Sequence, residues 1–434
     1  MEIETLKRSH LKRNIVIAVV VVAIISAIIL TFTRAKFKNT ESIPLVNGTI
    51  NYSLADLNIV AIKVEGKEVD TLPDGNYELT SESYCTINNE KDNNIKLSYD
   101  SESKTLTVTP MTKKGTKCYL YFDEQKILLA DAIKRDNQIN SENPNFASVA
   151  TTNDGVYKAE DDWGDSYYFR GAVTNNWVKF AGYYWRIIRI NGDGSIRLIY
   201  NGTSTATTGT NTQISTSVFN NSYNNNMYVG YMYTNYQVHG LGSSSTIKGV
   251  LDSWYQTNIA NKGHGSKVST EAGFCGDREP STSSSSSNGS GGTGTTQTYY
   301  GGYIRFTNST KSPTLKCKNS SDLYTVSGSS KGNKALSNPV GLITADEVAM
   351  AGGVYGQTNQ SYYLYTNQVY WTMSPYYFNA SSSYAFVLTV TSDGNLNYNW
   401  VDSTFGVRPV INLSADVKVT GSGTSSDPFV VSSD

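Results

Sequence analysis

The chain has 434 residues, a formal net charge of −1 and only 17% charged residues, so nothing in its electrostatics points to nucleic acid. Its 31 tyrosines and 36 glycines, with Asn, Ser and Thr abundant throughout, describe a β-rich chain of the secreted or surface-displayed kind. The length accommodates an anchor and two domains.

Residues 1–14 read as a cytoplasmic stub. Ile15 to Phe32 is uncharged and almost wholly apolar. As a helix it would span roughly 27 Å, close to a bilayer core. The expectation is a transmembrane anchor over 15–33, because the run is long for the apolar part of a cleaved signal. Basic residues flank both ends, so charge bias alone orients it weakly. A polar linker follows at 34–45.

Residues 46–122 alternate short strands ("NIVAIKV", "NIKLSY", "KTLTVTP", "KCYLYF") with turns about every ten residues. That rhythm predicts a small all-β, immunoglobulin-like sandwich acting as a stalk. The four cysteines split two and two: Cys85 and Cys118 here, Cys275 and Cys317 further on. The reading is one disulfide per domain, which places the bulk outside the membrane with the N-terminus inside. Residues 123–152 read as a helix followed by a linker.

From residue 153 to 434 a second domain is expected. In "WRIIRINGDGSIRLIY" a loop at Gly192-Asp193-Gly194 pairs Ile190 with Ile196, Ile188 with Leu198 and Ile187 with Ile199, a buried hairpin. The same register sets Arg189 opposite Arg197, which requires an intervening acid. Asp161, Asp162 and Asp165 are the candidates. Residues 245–259 predict a helix capped by Ser245 or Thr246. "STSSSSSNGSGGTGTT" (281–296) reads as a disordered insert inside the loop that Cys275 and Cys317 would close. In 340–354 a strand end leads to a helix capped by Thr344, with Glu347 three residues on.

"FVLTVTSDGNLNYNWV" (386–401) predicts a hairpin with Gly394 left-handed in a three-residue turn. Phe386 then faces Trp400, Leu388 faces Tyr398 and Val390 faces Leu396. Asn395, Asn397 and Asn399 fall together on the other face, which reads as a wet display surface. Arg408, flanked by valines, is expected to be a buried, paired arginine that orders the domain.

The segments "YYFRGAVTNNWVKFAGYYWRIIRINGDGSIRLIYNG", "GLITADEVAMAGGV", "YWTMSP" and "GVRPVINL" resemble surface proteins of gut Bacillota and Mycoplasmatota. That resemblance implies an α+β, C-type-lectin-like domain of the formylglycine-generating-enzyme type, as in the variable proteins of diversity-generating retroelements. It implies surface location and ligand binding, with Tyr376, Tyr377, Asn379, Asn395, Asn397 and Asn399 in the late segment that such proteins use for binding. No cysteine follows Cys317, so the copper-dependent activity of formylglycine-generating enzymes is not carried over. The EPN, QPD and WND motifs of sugar-binding C-type lectins are absent.

No GxSxG elbow accompanies His239 or His264, and both read as surface-loop histidines. Glu160, Asp161, Asp162 and Asp165 offer oxygens for calcium, or else form a solvated turn bridged to Arg170. No other cofactor is expected. Tyr-, Asn- and Ser-rich stretches at 219–236 and 374–384 have the composition of adaptable binding surfaces. The expectation is a non-enzymatic cell-surface receptor or adhesin binding a glycan or protein on a host or neighbouring cell. The alternative is a structural envelope protein without a cognate ligand.

Overall fold

The computed structural model describes residues 58–432 except 74, 102, 111–114 and 282–292. The chain divides into two compact units, 1–125 and 126–434.

In the first unit, β1 (Asn58–Val64) lies parallel to β3 (Lys117–Glu124), and β2 (Tyr84–Ile87) lies antiparallel to β3. These strands belong to a six-stranded sheet; a separate ribbon pairs Lys96–Asp100 with Thr105–Thr109. Ile59, Ile62, Leu106, Leu120 and Phe122 share one core. Cys85 and Cys118 stand opposite each other on β2 and β3 and are bonded across 33 residues. A loop of this size removes about 3–4 kcal/mol of chain entropy from the unfolded state. The all-β content is compatible with an immunoglobulin-like arrangement.

The second unit begins at Lys126, earlier than its sequence suggested. Ile127–Leu128 pair with Lys418–Thr420, and α1 (Leu129–Asp136) buries Leu129, Ala132 and Ile133 in the main core. Part of the stretch read as helix and linker is therefore a core element.

A ten-stranded sheet contains the hairpin β4 (Asn153–Asp161) and β5 (Gly164–Gly171) and the hairpin β6 (Tyr183–Ile190) and β7 (Ile196–Gly202). Helix α2 (Thr246–Tyr255) starts at Ser245, whose Oγ accepts from Lys248 N. Strand β8 (Thr298–Tyr299) and helix α3 (Gly301–Thr307) follow. Helix α4 (Ala345–Ala351) carries the full reciprocal cap: Glu347 N donates to Thr344 Oγ1 at 3.1 Å and Thr344 N to Glu347 Oε2 at 3.0 Å. A six-stranded sheet holds β8, β9 (Tyr370–Asn379), β10 (Tyr384–Val390), β11 (Leu396–Trp400) and β12 (Phe405–Val407).

The expected fold class is corrected. The described chain is mostly β-sheet, its α-helices are only 7–10 residues long, and the second unit is not the α+β domain expected. Among the described residues no helix is long and apolar enough to cross a membrane. The segment read as an anchor, 15–33, lies outside them, as do the stub and the linker. Most of the expected insert, 282–292, also lies outside; Thr293–Thr296 are placed, with Gly294 O accepting from Asn226 N.

Both hairpins turn alike. Gly394 (φ 78°) and Gly194 (φ 85°) occupy left-handed positions that a side chain disfavours. A Cβ on Gly394 would also fall 1.7 Å from Asn359 O. The 386–401 register is the expected one, Phe386 opposite Trp400, Leu388 opposite Tyr398 and Val390 opposite Leu396. The 187–199 register is not. Ile190 faces Ile196 and Arg189 faces Arg197, but a bulge between Ile187 and Arg189 moves Ile187 onto Leu198.

That bulged hairpin carries a buried ionic centre. Arg189 reaches Asp161 at 2.5 Å and Glu347 at 3.0 Å, and Arg197 reaches the same Glu347 oxygen at 2.5 Å. All four are buried. One oxygen of Glu347 thus neutralises the two facing arginines while the other caps α4. Burial alone would raise the Glu347 pKa, but Arg197 and Arg189 outweigh it and hold it below the usual carboxylate range.

The calcium candidates disperse into other roles. Glu160 pairs with Lys316, Asp165 with Lys158, and Asp162 accepts from Cys317 N. Arg170 bonds none of them. It approaches Asp154 at 3.4 Å and donates to Ala349 O and Met350 O at the end of α4. The histidines are not free loop groups. His239 lies 3.6 Å from both Glu279 and the buried Asp322, and the His264 ring meets the Phe180 edge.

Candidate functional site

The six residues singled out for binding do not form one surface. Tyr376 and Tyr377 are adjacent on β9, and strand alternation would send them to opposite faces. A bulge between Pro375 and Tyr377 brings both into one ring cluster. Tyr376 stacks on Tyr398 with ring centres 4.3 Å apart, and Tyr377 meets the same Tyr398 edge-on. Tyr398 alternates with Asn397 and Asn399, so the tyrosines and those asparagines occupy opposite faces of β11.

The asparagine face is half-buried and internally bonded. Asn399 Nδ2 donates to Thr389 Oγ1 at 2.9 Å, Asn397 Oδ1 accepts from Tyr398 N, and Asn395 Oδ1 accepts from Gly356 N. Thr389 itself is fully buried. Asn379 stays with the tyrosines at the end of β9, its Oδ1 accepting from Ser381 N and Ser382 N.

Four further tyrosines complete the cluster. Tyr299 on β8 stacks on Tyr377 at 5.4 Å, and Tyr303 on α3 lies between Tyr299 and Tyr376. Tyr355, from the loop after α4, stacks on Tyr376, and their hydroxyls are 2.7 Å apart. Tyr398 is the fourth. The sequence pattern sets Tyr398 on the apolar face but does not mark Tyr299, Tyr303 or Tyr355. The i, i+4 spacing of Tyr299 and Tyr303 was the available signal, obscured by its place after a low-complexity run.

Tyr376 is buried, while Tyr299, Tyr303, Tyr355, Tyr377 and Tyr398 surround it with partly exposed rings. Burial, with help from Tyr398, pushes Tyr377 up to about 12, and burial raises Tyr303, Tyr355 and Tyr376. The cluster offers hydroxyl donors and acceptors and apolar ring faces.

Raised tyrosine pKa values have a stability consequence. A phenol that ionises less easily folded than unfolded stabilises the fold fully below about pH 10, and that share is lost as pH rises through its folded value. Burial likewise raises Tyr200, Tyr255 and Tyr370 to about 12. The expected result is a stability plateau to about pH 10 and a steep fall towards pH 12. Part of the phenolate absorbance should appear only with unfolding; complete phenolate formation ahead of the unfolding transition would contradict it.

Two cavities lie elsewhere in this unit. One of about 20 Å³, room for roughly one water, lies among Arg189, Arg197, Arg305, Asp277, Asp346 and Glu347. Its acids are paired: Arg305 is forked onto Asp346 at 2.7–2.8 Å and also bridges to Asp277. The other, an open groove of about 540 Å³, is floored by Phe146, Tyr168, Leu315 and Met350. Among the described residues no group of three or more His, Cys, Asp or Glu is placed to hold a metal ion.

Cys275 and Cys317 are bonded across 42 residues beside the smaller cavity. With the Cys85–Cys118 bond this leaves no free cysteine among the described residues, consistent with an oxidising, extracellular setting. Compared with known families, curated proteins and solved structures, the chain matches none.

Proposed function

We propose that this is an extracellular, non-enzymatic ligand-binding protein, a receptor or adhesin, whose second unit recognises a glycan or protein through the tyrosine cluster. The observation that carries this reading is the cluster itself. Four partly exposed tyrosines pack on the buried Tyr376 and a further one, Tyr299, joins through Tyr303 and Tyr377, with Asn379 beside them. Tyrosine supplies large, stiff, amphipathic contact area at low entropic cost, and neighbouring amides supply directional hydrogen bonds. The two disulfides support an extracellular setting, and the resemblance to surface proteins of gut bacteria adds to the same reading.

The test is binding of the full chain to a glycan array and to epithelial cells, with calcium and with chelator. Tyr303→Ala and Tyr398→Ala run beside it. Binding is expected to weaken by at least roughly tenfold in both variants while tryptophan fluorescence stays native. Undiminished binding in both would remove the cluster from recognition. No binding by the wild type to any array member or cell would favour a structural envelope role.

A further inference from the structure

Beyond the tyrosine cluster, the aromatic surface continues. Tyr377 stacks on Phe386 with ring centres 4.5 Å apart and planes 2° from parallel. Phe386 meets Trp400, Trp400 meets Tyr384, and Tyr384 stacks on Tyr223 at 4.4 Å and 11°. The row thus crosses β9, β10 and β11, with Phe386 itself buried, and reaches the loop at residue 223. Its far end is open: Trp400 is 53% and Tyr223 37% exposed, two of five large apolar or aromatic side chains so exposed among the described residues. Asn221, Asn224, Ser381, Ser382 and Thr404, in the same loops, are exposed.

The row draws on segments unusually poor in charge. Residues 198–247 contain no Asp, Glu, Lys or Arg, and residues 335–407 contain no Lys or Arg. In 335–407 the acids number four. Asp346 and Glu347 are consumed in buried ion pairs, Asp393 sits in the hairpin turn bonded to Thr391, and Asp402 remains near Tyr384. No cation of these segments could hold a carboxylate, sulfate or phosphate.

Resting on the ligand-binding reading above, we infer that the row from Tyr223 through Tyr384 and Trp400 to Tyr377 is an extended binding face for a neutral, linear oligosaccharide. Sugar rings present apolar C–H faces to aromatic rings, and their hydroxyls bond to amides and hydroxyls at the rim. A linear row suits consecutive sugar units, whereas a compact ligand would occupy only the tyrosine cluster. The absence of cations from these segments disfavours acidic glycans on electrostatic grounds.

The experiment is calorimetric titration of the full chain with chitohexaose, cellohexaose and maltohexaose, their dimers, and an anionic hexagalacturonate. At least one neutral hexamer should bind, its dimer at least roughly tenfold more weakly, with no loss in high salt. Trp400→Ala and Tyr223→Ala, at exposed positions, should each weaken the hexamer by roughly tenfold without changing the unfolding midpoint. Failure of all three neutral hexamers, equal affinity for hexamer and dimer, or preference for hexagalacturonate would overturn the inference. Cell binding that still depends on Tyr303 and Tyr398 under those outcomes would leave ligand binding standing and eliminate only the neutral glycan.

Discussion

Glu347→Ala is expected to destabilise the second unit by about 3–5 kcal/mol, because it leaves buried arginines without their shared carboxylate. Arg189 would keep Asp161, but Arg197 would keep only contacts such as Gly273 O at 3.0 Å, Asn412 Oδ1 at 3.4 Å and the Phe274 ring. The substitution also strips the Thr344 N–H of its acceptor, adding about 1 kcal/mol from the lost cap. Glu347→Gln preserves much of the geometry and loses only charge, so it should cost less. The pH dependence separates the two effects. A depressed carboxylate pKa contributes stability above the ordinary value and loses it as pH falls through the folded one. Wild-type stability should therefore fall below about pH 4, with a shallower fall in Glu347→Gln. All six tryptophans lie at or beyond residue 163, so their fluorescence during urea unfolding reports this unit alone. An unchanged midpoint in Glu347→Ala would contradict the account.

Arg408→Ala is the second large effect. Arg408 is 1% exposed and pairs with carbonyls rather than an acid: Tyr200 O at 3.0–3.1 Å, Thr212 O at 3.2 Å and Leu364 O at 3.4 Å. Its guanidinium lies 4.8 Å from the Tyr370 ring centre. Burial lowers its pKa, with Tyr370 opposing, and a guanidinium keeps its charge regardless. The side chain joins the end of β7, the 210–212 turn and the 364 loop. Truncation removes the donors from these acceptors and opens a cavity, an expected loss of about 3–5 kcal/mol. Arg408→Lys should recover only part, because an ammonium cannot fork across three carbonyls in fixed directions. Folded Arg408→Ala with an unchanged unfolding midpoint would refute this role.

The sequence was most readable where a strand had one polar and one apolar face. The 386–401 hairpin has such faces, so a one-residue slip was penalised and the register could be read. The 187–199 hairpin is apolar on both faces, and no pattern marked its bulge at Ile188. The need for an acid between Arg189 and Arg197 was legible from their register, and Asp161 was among the candidates. Glu347 was visible only as a local cap, because its ionic role depends on packing against a hairpin about 150 residues earlier in the chain. The binding candidates were misgrouped for a related reason. The resemblance to the late segment of variable proteins grouped Tyr376 and Tyr377 with the asparagines, whereas a bulge and the two-residue period of β11 put them on opposite faces. Tyr299, Tyr303 and Tyr355 come from separate elements and meet only in the fold.

The most direct measurement is hydroxyl-radical footprinting of the full chain, alone and with the glycan that binds best on the array. Protection of Tyr303, Tyr377, Tyr398 and Trp400 is expected, with Phe146 and Met350 in the open groove unchanged. Protection confined to that groove, with the four aromatic residues reacting as before, would contradict it.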